Sequence, residues 1–249
     1  MIWKSTLKKK KDNLSSSERL PLQTAAFILS SKKRRIMNYT HIIWDFNGTL
    51  FQDIDAGIES VNTMLAERGI KTIQNVEEYR EIFRFPVIDY YRDLGFDFDA
   101  EPFDVLAPIW IDLYNKNSAD APLQEGAIDS LEAFRELGIS QLLLSATELN
   151  MLKGQLDSLG ITKYFDEIMG LDNIHAHSKK AIALDWMSRN PSARPLFIGD
   201  SLHDAEVASA VGADCILVAN GHQSRKRLEE GGFPVFSSLS DALANLKKS

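Results

Sequence analysis

From residue 37 onward, short apolar runs alternate with segments of helical spacing, and that alternation leaves few architectures open. His41-Ile42-Ile43-Trp44 is a short, mostly apolar run that reads as a buried strand ending at Asp45. Ile54, Ile58, Val61 and Leu65 then fall on one helical face, with Gly69 as a stop. Pro122 and Gly126 mark a second start: a helix over 127–137 closed by Gly138, a strand over 139–144 ending at Ser145, and a helix to residue 159 stopped by Gly160. A short strand over 165–169, a helix over 179–188 and a strand over 195–198 ending at Gly199-Asp200 follow. A helix over 204–211 stopped by Gly212 and a last clear strand over 215–218 complete the series. Strands alternating with helices predict a parallel sheet covered on both faces, an α/β doubly wound fold.

One block breaks this rhythm. Residues 54–120 carry helical spacing, many aromatics and breaks at Pro86, Pro102 and Pro108, and they come directly after the first strand. The pattern predicts an inserted helical cap domain at 54–120, with the core built from 37–53 and 121–249. Phe83, Phe85, Tyr90, Tyr91, Phe96 and Phe98 are expected to form the interior of that block rather than a base-stacking platform.

With 249 residues, 44% apolar and 25% charged, the chain has the size and make-up of a soluble core plus a small second domain. No apolar run approaches the ~20 residues that span a bilayer, so no membrane role is expected. The single cysteine, Cys215, cannot form an internal disulfide, and a cytoplasmic setting is the simplest expectation. The net charge of -7 is unevenly spread. Residues 1–36 hold runs such as Lys8-Lys9-Lys10-Lys11 and Lys32-Lys33-Arg34-Arg35, which leaves the remainder strongly acidic. Such a body repels nucleic acid and attracts cations. The basic segment 1–36 reads as a disordered tail, with Met37 as the functional start. A targeting peptide and an arm for anionic partners are the other readings.

In open parallel sheets, ligands bind at the carboxyl ends of the strands, and three predicted strand ends carry reactive residue types. Asp45-Phe46-Asn47-Gly48-Thr49-Leu50 follows the first. A carboxylate there can attack phosphorus, Gly48 lets the backbone turn beside an anion, and Thr49 offers a hydroxyl. Taken alone, the segment is also an ordinary Asn-Gly turn. Ser145, followed by Ala146, can hold a phosphate oxygen, though a helix cap is the commoner use of such a serine. Lys179, or its neighbour Lys180, opens a helix and can neutralise a transferring phosphoryl group. Gly199-Asp200-Ser201-Leu202-His203-Asp204 places two acids beside a glycine, where Asp200 can ligate Mg2+ and Asp204 can support the ion or Lys179.

The order strand-DxxGT, strand-Ser, Lys, strand-GDSxxD resembles the haloacid dehalogenase (HAD) superfamily, in the manner of phosphoglycolate phosphatase-like enzymes, over residues 39–222. The resemblance implies a Rossmann-like core with a helical C1 cap and a Mg2+-dependent phosphatase acting through an aspartyl phosphate. Asp45 would be the nucleophile. Asp45, Asp200 and the Asn47 backbone carbonyl would hold Mg2+, supported by Asp204. Gly48, Thr49, Ser145, Ala146 and Lys179 would cradle phosphate, while Arg84 and Phe85 fall where relatives place substrate-facing residues. The expected partner is a small phosphorylated metabolite, bound by a monomer or homodimer.

The pattern departs from the family at Asn47, where phosphatases carry the aspartate that acts as general acid and base. An amide cannot relay a proton, and such catalysis is worth ~10²–10⁴-fold, or roughly 3–5 kcal/mol. Good leaving groups, another proton donor such as His203, or a silent binder of phosphorylated ligands would each accommodate it. Relatives that cleave carbon-halogen or carbon-phosphorus bonds form a further alternative. The two acids of GDSxxD and Thr49 favour phosphorus over halogen, and a Schiff base would need Lys71 or Lys116, the two lysines of the helical block. His175 and His177 lack the further nitrogen or sulfur partners that zinc requires.

Overall fold

The computed structural model describes residues 36, 38–171 and 178–248. Strand β1, His41–Trp44, lies at the centre of a six-stranded parallel sheet. Around it run β2, Ser140–Glu148, β3, Glu167–Leu171, β4, Pro195–Gly199, β5, Asp214–Val218, and β6, Val235–Phe236, in the order β3-β2-β1-β4-β5-β6. The order reverses at β1, which pairs with β2 on one side and β4 on the other. A crevice therefore opens between the carboxyl ends of β1 and β4, at Asp45 and Asp200.

The side-chain alternation of the strands sends successive residues to opposite faces. Ile42, Trp44, Leu143, Leu196, Ile198, Ile216 and Val218 pack on one face against α5, Ala127–Glu136, α6, Leu149–Ser158, and α10, Leu239–Lys248. Ile43, Leu142, Leu144, Phe197, Cys215 and Leu217 pack on the other against α7, Lys179–Arg189, α8, Leu202–Ala210, and α9, Arg225–Glu230. This is the doubly wound α/β architecture that the alternation predicts. Ile36, assigned above to the tail, is buried in the first of these clusters, because an apolar side chain next to a core edge is more stable out of water.

Between β1 and α5 lie four helices: α1, Ile54–Glu67, α2, Val76–Ile82, α3, Val87–Leu94, and α4, Phe103–Asn117. They share a separate apolar cluster of Val61, Met64, Leu65, Tyr79, Tyr90, Tyr91 and Leu106. Asn75 accepts a hydrogen bond from Glu78 N and starts α2, while Pro86 and Pro102 directly precede α3 and α4. Pro108 does not break the chain as predicted but sits inside α4. Burial of Leu106 and Tyr114 from that helix outweighs the ~3 kcal/mol that an interior proline costs.

Two further differences concern β2 and the chain's end. β2 continues past Ser145 to Glu148, with an irregular register against β3 between Leu144 and Glu148. β6 has only two residues, directly after Pro234, too short for a strand pattern to show in the sequence. Apart from Ile36, the residues of the tail reading, together with the His175/His177 pair, fall outside the described residues. Among the described residues no helix is long and apolar enough to cross a membrane, and Cys215 is buried.

Candidate active site

Asp45 leaves β1 with its backbone N–H donating to Ile198 O of β4 at 2.9 Å, so the sheet itself fixes its position. Its Oδ1 accepts from Lys179 Nζ at 2.6 Å and its Oδ2 from Thr49 Oγ1 at 2.9 Å. Lys179 Nζ also reaches Asp204 Oδ1 at 2.5 Å. Lys179 is 4% exposed, whereas Lys180 is exposed, which decides between the two lysines. Burial pulls the Lys179 pKa down, but Asp204 and Asp45 outweigh it and hold the ammonium protonated. Asp204 Oδ2 accepts from Ser201 Oγ and from the backbone N–H groups of Asp200 and Ser201. That arrangement starts α8 as a capping box and leaves Asp204 holding the lysine.

Carboxylate oxygens of Asp45, Asp200 and Asp204 lie within 4.8 Å of one another. Burial, then the neighbouring Asp45 and Asp204 charges, pushes Asp200 up to about 8 against the pull of His222. Burial likewise raises Asp45 despite Lys179. The crowded carboxyl groups resist ionising together, and their hard oxygen donors with spare lone pairs suit a divalent cation such as Mg2+, which would favour their ionised forms.

The loop after Asp45 is locked from below. Gly48 adopts φ +73°, and a Cβ on it would come within 2.3 Å of Asp200 Oδ2 and 2.5 Å of His222 Cδ2. Gly48→Ala is therefore expected to lower stability by at least about 1–3 kcal/mol through backbone strain alone, plus the clash. Gly69→Ala, at φ +65° with nothing near its Cβ, isolates the strain. Equal losses in melting temperature for the two variants would contradict this packing.

Asn47 is held at both ends of its amide. Nδ2 donates to Asp53 Oδ2 at 2.9 Å and to Tyr114 Oη at 2.7 Å, while Oδ1 accepts from Thr147 Oγ1 at 2.8 Å. Asp53 is 2% exposed. It also accepts from the Gly48 backbone N–H at 2.8 Å and from Tyr114 Oη at 2.7 Å, with His222 Nε2 at 3.3 Å. Burial alone would raise the Asp53 pKa, but His222, Tyr114 and Asn47 hold it below the usual range. Burial would lower His222, yet Asp53, Asp200 and Asp45 push it up to about 9. His222 also donates its backbone N–H to Asp200 at 2.5 Å and lies 2.8 Å from Tyr79 Oη through Nδ1.

These contacts revise several expectations. Thr49 is fully buried, and its hydroxyl points at Asp45 and, at 3.4 Å, Asp200 rather than into open space. The Gly48 N–H is committed to Asp53. Arg84 pairs with Asp93 at 2.7 Å at the surface and does not line the cavity, whereas Phe85 does. A cavity of about 740 Å³ opens above Asp45, Asn47, Ser145, Ala146, Lys179, Asp200 and Asp204. Phe83, Tyr90 and Tyr91, expected only as interior, also form its wall. Asp53, Tyr114, Thr147 and His222 escaped the sequence reading. His222 was findable in principle, since the loop after β5 is a fourth strand end.

A parallel α/β sheet carrying acids and a buried lysine at its switch point defines a class of enzyme-like folds. The family model described as haloacid dehalogenase-like hydrolase matches residues 42–218, and the chain belongs to that family. Among curated relatives, phosphoglycolate phosphatase from Pseudomonas syringae pv. tomato is 24% identical over 199 residues, 76% of this chain and 72% of the relative. Phosphoglycolate phosphatase 1 of Pseudomonas aeruginosa is 24% identical over 213 residues, 81% of this chain and 78% of the relative. A haloacid dehalogenase-like protein from Streptococcus pneumoniae superposes with TM-score 0.72 at 19% identity, covering 84% of this chain and 99% of that one. CbbY from Rhodobacter sphaeroides, solved with xylulose-1,5-bisphosphate, gives TM-score 0.64 at 21% identity, covering 84% and 99%.

Proposed function

We propose that the chain is a Mg2+-dependent phosphatase that releases phosphate from a small phosphorylated molecule through Asp45. The convergence of Asp45, Asp200 and Asp204 to within 4.8 Å, with Lys179 bonded to Asp45, carries this reading. Asp45 attacks phosphorus with Oδ, and Lys179 favours its ionised form against the push of burial and offsets charge on the phosphoryl oxygens. Ser145 and the backbone at Ala146 line the place where those oxygens would sit. Asp45, Asp200 and the Asn47 carbonyl would hold Mg2+, which when bound neutralises phosphoryl charge. Thr49 orients Asp45 and faces Asp200, and Asp204 orients Lys179. Helices α1–α4 act as a cap over the cavity, and the core comprises the chain on either side of them.

Phosphate release from a metabolite panel, with Mg2+ or with chelator, tests the reaction. Asp200→Asn is expected to weaken Mg2+ binding by at least ~10-fold in calorimetry, because a direct ligand matters no less than an outer one. Unchanged Mg2+ affinity in that variant would remove the assigned metal site. The second reading, a binder of phosphorylated ligands without turnover, draws on the fully bonded Asn47 amide, which offers no proton to a leaving group. Ligand-induced stabilisation without any phosphate release would select it.

A further inference from the structure

Among the described residues, the cavity above the acids has a largely aromatic and apolar wall, and each basic side chain on it has an acidic neighbour. Phe83, Phe85, Tyr90, Phe103, Trp110 and Met151 face it. Trp110 stacks on Tyr114 at 4.7 Å between ring centroids, and Phe85 stacks on His203 at 4.9 Å. The basic side chains on its lining are Lys179, His203 and His222. Lys179 lies between Asp45 and Asp204, His222 is bound to Asp53, and His203 sits 3.6 Å from Glu206. Lys71 pairs with Glu78 at the surface and Lys116 is exposed. Among the described residues on this lining, a second anionic group of a ligand, such as a carboxylate or another phosphate, meets no cation that lacks an acidic neighbour. The volume lies within the roughly 300–1,000 Å³ that encloses a drug-sized molecule.

A second observation points the same way. The Asn47 amide, bonded at both ends, gives a departing oxygen no proton. A phenol-type oxygen, with a pKa of about 10, leaves without one far more readily than an oxygen whose basicity approaches that of hydroxide, roughly 16.

We propose that the preferred ligands are aryl phosphomonoesters, with the ring held in the aromatic cavity and the phosphoryl group on a phenolic oxygen. This rests on the phosphatase reading for its chemistry but not for its binding. In the reaction an Asp45 oxygen bonds to phosphorus as the phosphorus–aryl oxygen bond breaks. The electron pair leaves on the phenolate, which takes a proton from solvent. Water then cleaves the aspartyl phosphate, giving inorganic phosphate and free Asp45.

Binding is measured with the full chain carrying Asp45→Asn, in Mg2+, by quenching of tryptophan fluorescence and by calorimetry. Phenyl and 1-naphthyl phosphate are expected to bind at least ~10-fold more tightly than phosphoglycolate or inorganic phosphate, a difference of about 1.4 kcal/mol. Trp110→Ala and, at the 36% exposed cavity mouth, Phe85→Ala should each weaken naphthyl phosphate binding with little effect on inorganic phosphate. Benzyl phosphate separates ring from leaving group. It should bind like phenyl phosphate, yet wild type should turn it over at least ~10²-fold more slowly. Equal affinity for phosphoglycolate and phenyl phosphate, or equal turnover of benzyl and phenyl phosphate, overturns the proposal. Selective aryl binding with no phosphate release from any compound sustains the ligand class and sinks the phosphatase reading instead.

Discussion

Asp45→Asn is expected to cut phosphate release by at least ~10³-fold while leaving the protein as stable as before or more so. The loss follows from removing the attacking oxygen, and effects of this size or larger are usual for nucleophiles. The stability half comes from electrostatics. Burial raises the folded-state pKa of Asp45 above its ordinary value, so above that ordinary value the ionised carboxylate favours the unfolded chain. The amide removes one of three crowded negative charges, and Lys179 keeps Asp204. The melting temperature should be unchanged or higher by up to about 4 °C, the shift given by about 1 kcal/mol in a chain of this size. A variant that unfolds early, or one that keeps full activity, would show that Asp45 has a structural role and another residue does the chemistry.

Asn47→Asp is the second large effect, in the opposite direction. The new carboxyl would sit where Nδ2 now donates to Asp53 Oδ2 at 2.9 Å, and two carboxylates that close cannot both ionise. Asp53 is already held ionised by His222, Tyr114 and the Gly48 N–H. The proton therefore settles on the new carboxyl, which becomes a general acid beside Asp45. Turnover of alkyl phosphates should rise by ~10²-fold or more and should fall again as pH climbs through the pKa of that carboxyl. Aryl phosphates, which need little proton donation, should gain less than ~10-fold. A flat or reduced rate on alkyl esters would mean that the Asp53 network holds the group out of reach of the leaving oxygen.

The parts legible in the sequence were those where one physical pattern acts alone. His41–Trp44 could be read because Ile42, Ile43 and Trp44 are consecutive apolar residues buried on both faces of the sheet. Lys179 and Asp200 were found because helix starts and strand ends are marked by Ser178 and Gly199. Pro108 misled because tertiary burial overrode a local breaking signal. Asp53 resembled an ordinary acid before a helix, yet its side chain turns back into the loop rather than capping α1. His222 belonged to no motif; its place after a strand end could have marked it, but its partners Asp53, Tyr79 and Asp200 come from loops and helices that only the fold brings together.

The aromatic walls enter the chain as one excursion between residues 53 and 121, whereas the reacting groups belong to the sheet. Ligand choice and chemistry can thus diverge in descent almost separately. The separation is incomplete, because Tyr114 reaches down to Asp53 and Tyr79 to His222. Those two phenols tie the excursion to the site's own network, so a change at either position would be felt at Asp53 or His222.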